Sequence, residues 1–303
     1  MYLSDKDAYR EFQSENVQLV LRCIEQTLGT RFTEVELKGW GGQGLIIHLR
    51  APAYDYKICA KLPHFDMPGL LESKHAILKE ALINEALISH NADFVPKILC
   101  YADDGAYFVR EYLDGNLLDK EIRTATMEER IRLAYLEWEM VTKAFKMIHE
   151  NKEQPYVIRD LKAKNMILSS EKDRLFMIDL GSFRREDNMI SRRKLKMSQR
   201  FGGGKFLHWP LEQLIEDKNK CSRKVDYFAF GVLIYETVFN YRPYTNSEDR
   251  VPEAEKRYEK EYEIAKSEIK KAVMEEYLPK ELAEVMLHAL QPEPEKRFFI
   301  TRQ

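Results

Sequence analysis

Asp160, Lys162 and Asn165 stand within one short stretch, and Asp179 follows Asn165 by fourteen residues. The stretch reads Ile158-Arg159-Asp160-Leu161-Lys162, then Asn165; Asp179-Leu180-Gly181 comes after the apolar run Leu175-Phe176-Met177-Ile178. One carboxylate can accept a proton, a lysine can neutralise a moving phosphoryl group, and an Asn with a second Asp can hold Mg²⁺. These are the polar groups needed to pass phosphate from a nucleoside triphosphate to a hydroxyl.

A phosphate loop is also legible. Gly39-Trp40-Gly41-Gly42-Gln43-Gly44-Leu45-Ile46 fits G-x-G-x-x-G-x-V with Ile46 in the last place. Glycines let a turn between two strands come close to phosphate oxygens and tolerate positive φ. Many Gly-rich hairpins bind nothing, so the motif alone is weak. No parallel βαβ unit follows, which argues against a dinucleotide fingerprint. In Tyr56-Lys57-Ile58-Cys59-Ala60-Lys61 side chains alternate, so Lys57, Cys59 and Lys61 share one face. A lysine ending an apolar strand either snorkels to solvent or meets an anion. Lys61 lies one strand after the glycine loop, which favours a triphosphate. Its acidic partner should sit on the following helix, where Glu80 and Glu85 are candidates. Five residues apart, they point about 140° from each other, so only one can face Lys61.

The elements that must position these groups follow from periodicity. Lys6 to Leu28 carries Phe12, Val17, Val20, Leu21, Ile24 and Leu28 at helical spacing, ended by Gly29. Strands are expected at Phe32–Leu37, Leu45–Leu49, Tyr56–Leu62, Lys97–Ala102 and Ala106–Tyr112, with Asp103-Asp104-Gly105 as a hairpin turn. One helix, Ser73 to His90, interrupts them. From Leu113-Asp114-Gly115 onward long helices dominate: Met127–Glu150, the apolar Val225–Phe239, Arg250–Tyr277 and Lys280–Leu290. In the charged Arg250–Tyr277 segment a thin stripe of Ala254, Tyr258, Ala265, Ile269 and Val273 remains. A small β-rich lobe joined to a larger helical lobe is expected to leave a ligand-binding cleft.

Composition sets the class. The 303 residues are 44% hydrophobic and 32% charged, which suits a globular protein and argues against disorder. A formal net charge of −2 gives no global sign of nucleic acid or membrane binding. Cys23, Cys59, Cys100 and Cys221 are scattered without a C-x-x-C, so no disulfide framework or zinc site is expected, and a reducing cytosol is the simplest setting. The polar start MYLSDKDAYREF is unlike a signal peptide, and no run approaches the roughly 18 apolar residues of a membrane span.

Taken in order, glycine loop, strand lysine, catalytic stretch and Asp179-Leu180-Gly181 resemble the eukaryotic-like (Hanks-type) Ser/Thr protein kinases. The resemblance runs from about Phe32 to Phe298. Lys61 follows Gly39 by 22 residues and Glu80 follows Lys61 by 19, intervals typical of that family, which favours Glu80 over Glu85. The resemblance implies an α+β, two-lobed fold: a helical extension (1–31), a small antiparallel β lobe with one helix (32–112) and a larger mainly helical lobe (113–303). It implies that Asp160 accepts or orients the hydroxyl proton and Lys162 neutralises the γ-phosphate. Asn165 and Asp179 hold Mg²⁺, for which Mn²⁺ can stand in. Lys61 contacts the α- and β-phosphates and pairs with Glu80. Gly39, Gly41, Gly42 and Gly44 cover the phosphates, with Ile46 beside them. Glu111-Tyr112-Leu113 is the hinge to adenine, Arg110 borders the back of the pocket, and Cys59 and Ile167 sandwich the base. Asp226, opening Asp226-Tyr227-Phe228-Ala229-Phe230-Gly231, ties down the catalytic-loop backbone, and Arg297 pairs with Glu212.

Some positions depart from the family. Ile158 replaces a His, Leu180 a Phe and Ala163 a Pro. Phe206-Leu207-His208-Trp209-Pro210-Leu211-Glu212 matches the end of the activation segment loosely, and six residues after Arg297 leave no room for the usual last helix. The glycine loop looks more like bacterial members. The segment Ser182 to Arg200 holds Arg184, Arg185, Arg192, Arg193, Lys194, Lys196 and Arg200, with Ser182, Ser191 and Ser198 in or beside it. A basic run is usually a solvated loop. As a hypothesis, phosphate on Ser191 or Ser198 would pair with Arg159 and order the segment; mass spectrometry finding no phosphate between Asp179 and Glu212 after ATP treatment refutes it.

The expectation is therefore an ATP- and Mg²⁺-dependent Ser/Thr protein kinase in the cytoplasm, acting on a protein hydroxyl, with self-association as a route to autophosphorylation and no nucleic-acid or membrane partner. Two rivals stand beside it. A small-molecule kinase of the same fold is disfavoured by Lys162 and the basic segment. A pseudokinase scaffold is disfavoured by the complete set Lys61, Asp160, Asn165 and Asp179.

Overall fold

The computed structural model describes residues 4–41, 44–65, 69–150, 155–186, 208–215, 217, 220–244 and 251–302. Gly42, Ser191, Ser198, Arg192, Arg193, Lys194, Lys196, Arg200, Phe206, Leu207 and Arg250 lie outside the described residues. The chain forms two compact units, Met1–Asp114 with Met177–Gly181, and Gly115–Phe176 with Ser182–Gln303.

The first unit begins with two helices, α1 (Asp5–Phe12) and α2 (Glu15–Leu28), where periodicity predicts one. Ser14 divides them. Its backbone is extended and its hydroxyl accepts the Val17 N–H, so it caps a new helix rather than continuing the old one. Five strands follow: β1 (Glu34–Gly41), β2 (Gly44–Arg50), β3 (Ile58–Leu62), β4 (Ile98–Tyr101) and β5 (Phe108–Glu111). They form one antiparallel sheet in the order β1-β2-β3-β5-β4. Helix α3 (Leu70–Ser89) lies between β3 and β4 in sequence, one turn longer at its start than expected.

Alternation makes this sheet two-faced. On one face Leu45, Ile47, Leu49, Ile58, Ala60, Leu62 and Val109 join Val17, Val20, Leu21 and Ile24 of α2 in a buried cluster. Burying each such aliphatic side chain is worth about 1.5–3 kcal/mol, so α2 is an integral cover of the sheet. Register puts Ile46 beside Lys61 and Phe108, and His48 beside Cys59 and Arg110, on the other face. Phe108 packs there against Ile77 and Ala81 of α3. Helix α1 is held by Glu11, whose carboxylate takes the Phe65 N–H at 2.6 Å and His64 Nδ1 at 2.8 Å.

The second unit contains β6 (Gly115–Leu117), α4 (Leu118–Thr124), α5 (Met127–Ile148), β7 (Tyr156–Val157), β8 (Met166–Ser169), β9 (Leu175–Met177, except its last residue, which belongs to the first unit), β10 (Arg184–Arg185), α6 (Leu211–Leu214), α7 (Lys224–Phe239), α8 (Val251–Met274) and α9 (Lys280–Ala289). Strands β6, β8 and β9 form one small sheet, and β7 pairs with β10. Thr126 and Glu129 form a capping box that starts α5. Helix α7 is buried nearly all round, as its apolar sequence requires. Helix α8 buries Ala254, Tyr258, Tyr262, Ala265, Ile269 and Ala272; the expected Val273 is half-buried instead. Among the described residues no helix is long and apolar enough to cross a membrane.

Met177–Gly181 packs with the first unit, although it follows a long stretch of the second. Three bonds hold it there: Met177 N–H to the Phe94 carbonyl at 2.7 Å, Lys79 Nζ to the Gly181 carbonyl at 3.1 Å, and Lys61 Nζ to Asp179 Oδ1 at 2.9 Å.

Candidate functional site

In the first unit Lys61 sits in the middle of the sheet, on β3, with its side chain almost fully buried. Its ammonium lies 2.6 Å from Glu80 Oε2 on α3 and 2.9 Å from Asp179 Oδ1. Burial works against the charged lysine, but the Asp179 and Glu80 carboxylates outweigh it and hold Lys61 above the ordinary lysine range. One ammonium thus meets two carboxylates, and the Arg110 charge also acts on Glu80. Glu85, the other candidate, lies elsewhere and accepts the Tyr101 hydroxyl at 3.1 Å.

The glycine turn is built for close approach. Gly44 has φ +152°, and a Cβ there would stand 1.9 Å from the Leu62 carbonyl oxygen, so no other residue fits. Gly39 and Gly41 lie on β1, with Gly41 paired to Gly44. Ile46 and Cys59 lie on the sheet face that carries Lys61. Glu111 ends β5, its N–H bound to the Lys97 carbonyl at 3.0 Å, and Leu113 follows, buried. The Tyr112 ring meets His48 edge-on at 4.9 Å.

In the second unit a second polar cluster forms on the loop after β7. Lys162 Nζ lies 2.8 Å from Asp160 Oδ1 and 2.7 Å from Oδ2. Asn165, in a 3₁₀ turn over Ala163–Asn165, donates its amide to Asp160 Oδ2 and to the Asp160 carbonyl, each at 2.9 Å. That leaves Asn165 Oδ1 accepting no hydrogen bond among the described residues. His208 Nε2 approaches Asp160 Oδ1 at 2.7 Å. Burial alone would raise the Asp160 carboxyl; the His208 bond and the Lys162 charge outweigh it and bring it down to about 2. Asp160 is thus held below the ordinary aspartate range. Ile167 lies on β8, opposite Leu117 of β6.

The backbone of the loop after β7 is bent and held. Arg159 has φ +69° and Asp179 φ +62°, both unusual for residues with a Cβ. Asp226 Oδ2 takes the Ile158 N–H and Oδ1 the Arg159 N–H, both at 2.7 Å. His149 Nε2 adds a 2.8 Å contact to Asp226. Arg297 and Glu212 form a buried ion pair. Lys61, Glu80 and Asp179 are gathered in the first unit and Asp160, Lys162 and Asn165 in the second, so the expected magnesium pair Asn165 and Asp179, like the expected base-binding pair Cys59 and Ile167, is divided between the two units.

A protein kinase domain is matched across residues 32–302. The chain belongs to the protein kinase family. It is 33% identical over 99 residues to the mitogen-activated protein kinase kinase kinase dlk-1 of Caenorhabditis elegans, covering 33% of this chain and 9% of that protein. It is 24% identical over 157 residues to the chitin elicitor receptor kinase 1 of Physcomitrium patens (49% of this chain, 22% of that protein). It is 23% identical over 200 residues to the probable serine/threonine-protein kinase mkcF of Dictyostelium discoideum (64% and 26%). The chain thus spans about a tenth to a quarter of the length of these curated relatives.

Two histidines of this kinase domain escaped the sequence reading. His208 touches Asp160 and His149 touches Asp226, from 48 and 77 residues away along the chain. His149 has one legible signal: it directly follows the apolar face of α5, where a buried imidazole needs a partner. His208 has none, since contact with Asp160 is a matter of tertiary path alone.

Proposed function

We propose that this protein kinase domain transfers the γ-phosphoryl group of ATP, with Mg²⁺, to a serine or threonine hydroxyl of a protein. The observation that carries the reading is the Asp160 carboxylate with Lys162 at 2.7 Å and Asn165 at 2.9 Å on one bent loop. It joins a low-lying proton acceptor to a cation able to turn toward a phosphoryl group.

In this mechanism Lys61, kept charged and oriented by Glu80, donates to the α- and β-phosphate oxygens. Lys162 moves from Asp160 to the γ-phosphate and neutralises its charge. Asp160 accepts the hydroxyl proton as the oxygen attacks phosphorus and the diphosphate leaves. Little covalent work falls to the protein, so positioning and electrostatics dominate. Asp179, a third exposed, and the open Asn165 Oδ1 are hard oxygen donors of the kind Mg²⁺ takes. Bound magnesium would supply charge neutralisation on the phosphate oxygens. The lysine two residues after Asp160 and the Ser/Thr kinase relative support a protein hydroxyl as acceptor. Cytosolic location and self-association belong to the same reading, on the cysteine usage and the basic segment.

The test is incubation with γ-labelled ATP, Mg²⁺ and a generic protein substrate, followed by phosphoamino-acid identification. Label on Ser or Thr, absent with Asp179→Ala, is expected. Label on a small metabolite alone, or no transfer with nucleotide bound, sends the reading to one of its rivals.

A further inference from the structure

We propose that His208 is a positioning residue for phosphoryl transfer: it holds Asp160 Oδ1 so that, once Lys162 has left, the carboxylate presents a free lone pair to the substrate hydroxyl. The inference rests on Asp160 being the proton acceptor.

The carboxylate is fully engaged in this structure. A carboxylate has about four lone-pair sites. Lys162 meets both Asp160 oxygens, Asn165 meets Oδ2, and His208 meets Oδ1, so four contacts occupy four sites. A hydroxyl can bond Asp160 only after one donor leaves. Lys162 is the donor free to go: its side chain is 22% exposed, and a phosphate is its destination. Its departure opens one site on each oxygen.

His208 cannot follow it. Its side chain is 3% exposed. The segment after it is pinned on three sides. The Trp209 carbonyl accepts the Tyr258 hydroxyl at 2.9 Å, Gln213 Nε2 donates to the Arg159 carbonyl at 3.0 Å, and Glu212 is paired with Arg297. His208 on Oδ1 and Asn165 on Oδ2 therefore grip the carboxylate from both ends and stop it rotating about its own axis.

The imidazole acts as a neutral donor. Burial pushes His208 down, against the pull of Asp160. Its Nδ1 has no partner among the described residues, so the proton sits on Nε2, where the bond is. During transfer the hydroxyl proton passes to Asp160, the new O–P bond forms as the bond to the leaving diphosphate breaks, and His208 keeps its proton throughout.

The test compares His208→Phe, which removes the donor, with His208→Gln, whose Nε2 can reach the same oxygen. In the full chain, His208→Phe should lower kcat about 10- to 100-fold, with the nucleotide KM within about twofold. His208→Gln should recover to within about fivefold of wild type. Nitrogen-15 spectra of the wild type, which need no variant to fold, should show His208 as the neutral Nε2–H form. An active wild type with His208→Phe equally fast, with His208→Gln as slow as His208→Phe, or with Nδ1 protonated in the spectrum overturns the inference alone. A wild type that binds nucleotide but transfers no phosphate overturns the functional reading and the inference with it.

Discussion

Asp226 Oδ1 accepts the backbone N–H of Arg159 at 2.7 Å, and Arg159 is held at φ +69°. A left-handed residue with a Cβ costs about 1–3 kcal/mol and persists only where its surroundings over-determine it. Asp226 does this with both oxygens, also taking the Ile158 N–H and meeting His149. Asp226→Asn turns one acceptor into an NH₂ that faces a donor. We expect a loss of about 3 kcal/mol in chemical denaturation and at least about tenfold slower phosphoryl transfer. A variant of unchanged stability would contradict the role.

Glu80 and Glu85 are separated by the same logic. Glu80→Ala takes one of two carboxylates from Lys61 and should reduce kcat/KM by about 100-fold. Glu85 is exposed and meets only Tyr101 among the described residues, so Glu85→Ala should stay within about twofold. Steady-state kinetics on the pair decides it; equal effects would mean that Lys61 does not depend on Glu80.

Glu137 gives a pH signature unrelated to catalysis. It is fully buried, accepts the Thr237 hydroxyl at 2.6 Å, and leaves its second oxygen without a partner. Burial pushes its carboxyl well above the ordinary glutamate range. The folded form therefore binds a proton that the unfolded form gives up. Stability is full below the unfolded value of 4.5 and declines as pH rises through the folded one. Glu137→Gln removes the titration and should add about 1–2 kcal/mol at pH 8 while changing little at pH 4. Parallel stability curves for the two proteins between those pH values would refute it.

Glu11 anchors the first helix. Glu11→Ala leaves the Phe65 N–H and His64 without their buried acceptor. The expected cost is about 2–3 kcal/mol, read as a lower melting temperature and faster proteolysis within residues 5–28. Unchanged proteolysis would show that α1 is fastened by other contacts.

Periodicity was enough to read the sheet and every long helix to within a few residues, because buried faces repeat at 2.0 or 3.6 residues and turn residues mark their ends. It missed the break at Ser14, although on one continuous helix Ala8 and Phe12 would fall roughly opposite Val17, Val20, Leu21 and Ile24; the cap itself is a single side-chain bond. Lys61, Asp160, Asn165 and Asp179 stood out in the sequence because the proposed reaction asks for those residue types at set intervals. The choice of Glu80 needed a family interval, as helical geometry excludes only one of two glutamates without saying which. His208 and Glu11 were not legible, and of His149 only its place after the apolar face of α5 was. Each meets its partner across 48 or more residues, and no local pattern records such a meeting. The positive φ values of Arg159 and Asp179 were equally hidden, because the strain is imposed by tertiary bonds and not by the residues themselves.

The cover that α2 lays on Leu45, Ile47 and Leu49 also bears on how this protein can be handled. A shortened version beginning at residue 32, where the family match starts, would bare a continuous greasy surface on the β2–β3 side of the sheet. Such a fragment should clump or demand detergent even with every reactive group present, so solubility trials belong with residues 5–28 retained.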